Sequence, residues 1–122
     1  MAYSYNSEIS VSRQFMNRLI LDIAEGVYPP GSHFPSVRTL AFDHSLNPNT
    51  VQKVLTLLEQ RGLILTEGTA GRTVTSDLQV ISSVRQELQS EYMKKMLEGA
   101  KELGITNRQL LDYIQKESEE KQ

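Results

Sequence analysis

The run Pro29-Pro30-Gly31 limits this chain more than any other feature, because no helix can pass through it. Proline has no amide to donate and clashes with the turn before it. A helix must therefore end upstream. Val11, Phe15, Leu19 and Ile23, joined by Met16, Ile20 and Ala24, recur at helical spacing. They predict a helix from Val11, capped by Ser10 and closed by Gly26. Residues 1–10 are polar and aperiodic, and are expected to form a mobile lead-in.

Similar punctuation recurs downstream at short intervals. Ser36, directly after Pro35, is an N-cap for a short helix that turns Val37, Leu40 and Ala41 inward and ends near His44-Ser45. Asn47-Pro48 is a second start signal, with Asn capping and Pro at the first helical position, where its missing amide costs nothing. The helix it opens is expected to reach Arg61, with Val51, Val54, Leu55 and Leu58 on one face, and Gly62 stops it. Two short apolar runs, residues 63–66 and 72–75, flank Glu67-Gly68-Thr69-Ala70-Gly71 and read as a β-hairpin with a loose tip. Three helices followed by a hairpin predict a mainly α fold, a winged helix-turn-helix over residues 11–76.

Residues 77–122 have a different pattern. Leu78, Ile81, Val84, Leu88, Tyr92, Met96 and Leu103 keep near-heptad spacing, and Gly104 ends the helix. Thr106-Asn107-Arg108-Gln109 has the form of a capping box for a last helix carrying Leu110, Leu111 and Ile114, with 117–122 expected to fray. A seam this long is hard to cover with a head already burying its own core. These ten apolar residues are therefore expected to pair two copies of the chain across a two-fold axis.

Composition excludes more than it selects. The 122 residues contain no cysteine, so disulfides, thiolate metal sites and cysteine nucleophiles are absent. The two histidines, His33 and His44, do not have metal-ligand spacing, and no catalytic constellation or phosphate-binding glycine loop is visible. No metal, cofactor or enzyme activity is expected, and His44 reads as a partly buried structural residue. There is no membrane-spanning apolar run or secretory leader, so a cytosolic protein is expected. Net charge is −2, and the first 76 residues balance six cations against six acids. Any double-stranded DNA partner must therefore be held by a few well-placed groups.

Those groups are legible from the element order. In a helix-turn-helix the leading turn of the second helix faces base edges. Here it supplies Asn47, chiefly a cap, and then Asn49, Thr50 and Gln52, which carry both donors and acceptors, while Lys53 suits phosphate. Arg38 sits in the first turn of the preceding helix, where the dipole disfavours a cation and an anionic partner would compensate. Ser36 caps and could also donate to phosphate. In the wing, Gly68, Thr69, Gly71 and Arg72 could reach the DNA backbone, and Arg72 has no acid within four residues of sequence. The competing reading is a winged-helix protein-interaction module, which the near-neutral head favours. No effector class can be read from the residues.

The run 23–31, then Phe34-Pro35-Ser36-Val37-Arg38-Thr39-Leu40-Ala41, Asn47-Pro48-Asn49-Thr50-Val51 and residues 57–64, resembles the head of GntR-type bacterial regulators over about residues 11–76. The Asn-Pro-Asn-Thr-Val form and a tail of about 45 residues are similar to the YtrA subgroup. The resemblance implies a homodimeric repressor on an inverted-repeat operator, with DNA contact by Arg38, the start of the third helix and the wing glycines. Three positions depart from the family pattern. Phe34 replaces a usual leucine, His44-Ser45 stands where Leu-Gly is usual, and Glu67, Ala70 and Thr73 stand where wings are usually basic and aromatic.

Overall fold

The computed structural model describes residues 7–120, in which five helices and a two-stranded antiparallel hairpin follow one another. Residues 1–6 of the expected lead-in, and residues 121–122, lie outside the described residues. Helix α1 spans Ser7–Ala24, α2 Val37–His44, α3 Pro48–Gln60, strand β1 Ile64–Thr66, β2 Arg72–Val74, α4 Leu78–Glu102 and α5 Asn107–Glu120. Helix α1 starts earlier than expected, so Ser10 lies inside it and does not cap it. Nothing in the sequence of residues 7–10 forbids a helix, since neither proline nor glycine occurs there and serine is tolerated. Helix α5 likewise stays intact through residues 117–120.

The chain divides into two compact units between Gln86 and Glu87. In the first, the inward faces of α1, α2 and α3 meet as their periodicity predicts. Phe15, Leu19, Ile20 and Ile23 of α1, Leu40 and Ala41 of α2, and Val51, Val54, Leu55 and Leu58 of α3 are all buried. The hairpin adds Leu63, Ile64 and Val74. Its register pairs Ile64 with Val74, Leu65 with Thr73 and Thr66 with Arg72. A feature not foreseen lies along the free edge of β2. The Gly31 amide donates to Val74, Val74 donates to Ser32, and Phe34 donates to Arg72. His33 thereby bridges Thr73 as a one-residue third strand, too short and too closely flanked by prolines to show a period of its own.

Helix α4 begins in this first unit. Asp77 caps it by accepting from the Gln79 and Val80 amides, and Ile81 and Val84 are buried. These two residues, expected on a seam between subunits, are largely covered within their own chain, at 9% and 5% exposure. Near-heptad spacing shows that a face is apolar, but not what covers it.

The second unit comprises the rest of α4 together with α5. Gly104 takes a positive φ of 75° and ends α4. The capping box forms as drawn from the sequence, with the Thr106 amide donating to Gln109 Oε1 and the Gln109 amide to Thr106 Oγ1. No residue of α5 is buried.

Candidate nucleic-acid interface

Helices α2 and α3 are joined by a turn that two local signals build. At the end of α2 the amide of Leu46 donates back to Ala41 at 2.9 Å, closing the helix. Ser45 there takes a left-handed conformation, φ 53° and ψ 46°, the only non-glycine positive φ among the described residues. Asn47 then caps α3, its side chain accepting from the Asn49 amide at 2.8 Å, with Pro48 in the first turn. Ser36 caps α2 in the same manner, accepting from the Thr39 amide at 3.1 Å.

The leading turn of α3 is open. Asn49, Gln52 and Lys53 are exposed and Thr50 is half-buried, while Val51 and Val54 on the opposite face are fully covered. Among the described residues the Gln52 side chain bonds only its own next turn, at Thr56. Asn49 and Lys53 have no side-chain bond or ion pair among the described residues. Arg38, the second residue of α2, is exposed and likewise unpaired among the described residues, none of which compensates its place at the positive end of the helix. Ser36 and Asn47 are exposed beside these groups in sequence.

The wing is more ordered than a loose tip. Gly68–Ala70 form a single 3₁₀ turn and the Glu67 amide donates to Gly71 at 2.8 Å. Gly68, Thr69 and Gly71 are exposed, and Gly71, at φ 90° and ψ −147°, occupies backbone that only glycine adopts without strain. Arg72 is placed differently from the sequence expectation. Its Nε donates to Glu59 Oε1 on the last turn of α3, and Thr66 Oγ1 donates to the same oxygen at 3.1 Å. The acid that pairs with Arg72 is thirteen residues away in sequence, out of reach of any local reading. The Arg72 hydrogen bond is the main reason the Glu59 carboxyl is held below its ordinary range.

His44 is also corrected: it is exposed, and its ring meets that of Phe15 in an edge-to-face arrangement with centroids 5.0 Å apart. Tyr28 packs on Phe34, and burial, with Asp22 and Asp43 nearby, raises its phenol pKa. Several exposed apolar residues of the second unit were not singled out from the sequence: Met93, Leu97 and Ile105. With Met96, Leu110, Leu111, Ile114 and Asn107, Met93 and Leu97 line a groove between the second half of α4 and α5.

A capped helix pair with an open second helix, followed by a glycine-tipped hairpin, is the head of a winged helix-turn-helix regulator. Residues 11–74 match the family described as bacterial regulatory proteins, gntR family, and the chain belongs to that family of DNA-binding transcription regulators. It lies with the YtrA-like subgroup: it is 30% identical over 91 residues to the HTH-type transcriptional repressor YtrA of Bacillus subtilis, covering 74% of this chain and 70% of that one. It is also 25% identical to the HTH-type transcriptional regulator YhcF of the same organism, over 93% of this chain and 94% of the relative. A GntR-family regulator from Listeria monocytogenes has the same fold, with a TM-score of 0.78 and 23% identity over 95% of this chain and 98% of its own.

Proposed function

We propose that this chain is a repressor that binds an inverted-repeat operator as a homodimer. Asn49, Thr50 and Gln52 read base edges in the major groove. Arg38 and Lys53 hold phosphates, assisted by the caps at Ser36 and Asn47, and Gly68, Thr69 and Gly71 bring the wing against the sugar-phosphate backbone. The observation that carries this reading is the open leading turn of α3, together with an exposed Arg38 at the start of the preceding helix that has no partner among the described residues. A helix-turn-helix needs both to be free.

Pairing of two copies is supported by the second unit. A helix of 14 residues without one buried side chain is marginal by itself, and the apolar groove it shares with α4 offers a second copy a surface to cover. Leu88, Tyr92, Met96, Leu103, Leu110, Leu111 and Ile114 belong to this pairing surface. Leu78 does too, being 66% exposed. A regulator of this kind acts without catalysis and in the cytoplasm, where its operator lies.

The test is selection of operator fragments from genomic DNA followed by fluorescence titration. Replacing Arg38 by Ala is expected to weaken operator binding by about 1–3 kcal/mol while melting temperature holds. Unchanged affinity would remove Arg38 from the site, and a selection that enriches no sequence would overturn the regulator reading.

A further inference from the structure

Glu59 is the one acidic residue of α3, and one of its oxygens holds two residues of the wing. Thr66 Oγ1 and Arg72 Nε both donate to Oε1. Thr66 and Arg72 are cross-strand partners and form the final registered pair before the 3₁₀ turn at the wing tip. A single carboxylate oxygen therefore ties α3, β1 and β2 together at the point where the hairpin leaves the head. The two side chains are partly covered, Glu59 being 30% exposed and Arg72 22%, which lessens solvent screening of the pair. A hairpin with three residues per strand is marginal alone. Besides this tie, the hairpin is held by the buried Ile64 and Val74 and by the β2 edge bonds to residues 31–34, of which Phe34 to Arg72 reaches the same pair, but none of those edge bonds reaches α3.

We propose that Glu59 is a positioning residue that locks the angle between the wing and α3 through Thr66 and Arg72, so that the tip meets the DNA backbone while the leading turn of α3 occupies the major groove. Arg72 then acts as a strut, and its charge is spent on Glu59 instead of a phosphate. The consequence for DNA rests on the regulator reading given above, whereas the lock itself does not.

Electrostatics and positioning make opposite forecasts for the loss of Glu59. Removing an acid from a DNA-binding face strengthens binding if charge is all that matters. Removing a strut weakens binding, because the wing must be ordered again on the duplex. In the full-length Glu59→Ala protein, hydrogen exchange at the Glu67 amide is expected to quicken about tenfold, equivalent to ~1.4 kcal/mol of local stability. Exchange at α3 amides such as Leu55 stays at the wild-type rate. Operator affinity is expected to fall about two- to tenfold, the worth of one or two lost backbone contacts. Glu59→Gln, which keeps the accepting oxygen, should restore most of the wing protection. Thr66→Val, which keeps the β-branched shape and removes one donor, should loosen the wing partway.

Wing exchange unchanged in Glu59→Ala, or operator binding equal to or tighter than wild type, would overturn the lock. If wild-type protein selects no operator, the regulator reading fails on that result, while the exchange measurement still decides whether Glu59 holds the wing.

Discussion

At the scale of single residues, the decisive positions are those whose polar groups are either fully used or wholly free. Arg38 and Arg72 are both arginines in the head, and sequence treats them alike. One is exposed and unpaired among the described residues, while the other is bound to Glu59. The Glu59 carboxyl, held below its ordinary value of 4.5 chiefly by the Arg72 hydrogen bond, makes this visible in the pH dependence of stability. A depressed carboxylate contributes stability that is fully present above its unfolded value and is lost as pH falls through the lower folded value. Urea unfolding of wild type and Glu59→Gln should therefore differ by a constant amount from neutral pH down to about 5, and the gap should narrow below 4.5. A gap that persists unchanged into acid would mean that the pair adds nothing to folding.

At the scale of elements, each joint is made by a short local signal. Asp77 and the Thr106–Gln109 box start α4 and α5, and Asn47-Pro48 starts α3. The joint between α2 and α3 is the strained one, because Ser45 holds a left-handed conformation where most chains would use glycine. Serine there bears a steric cost of roughly 1–2 kcal/mol, against which glycine loses about 0.5–1 kcal/mol in backbone entropy. Ser45→Gly is expected to stabilise the protein by about 0.5–1 kcal/mol, read as a rise in denaturation midpoint with an unchanged slope. A fall in midpoint would show that Ser45 is not strained. The turn is therefore sterically costly but still formed, held by Leu46 donating to Ala41 and by the buried faces on either side.

At the scale of the whole molecule, the two units play different parts. The first buries a continuous core and presents the open turn of α3. The second exposes Met93, Leu97, Leu111, Tyr113 and Ile114, an apolar surface that a second copy would cover. Ile114→Glu places a charge in the groove between α4 and α5. On the proposed pairing, sedimentation should then show monomer at concentrations where wild type self-associates, and the head should melt as before. Operator affinity should fall steeply in the same variant, because two half-sites can no longer be engaged together. A dimer that survives the substitution would place the pairing surface elsewhere.

Sequence alone determined the number and order of the helices, the caps of α2, α3 and α5, the hairpin, the buried faces of α1, α2 and α3, and the open turn that carries Asn49, Gln52 and Lys53. The helical features follow from periodicity and from cap bonds spanning three residues or fewer, and the hairpin from two short apolar runs around its glycines. Tertiary structure decided what distance in sequence conceals: that Glu59 claims Arg72, that His33 completes the edge of β2, and that Ile81 and Val84 turn into their own chain. A side chain's polarity is local information, but its partner is set by where the folded backbone brings it.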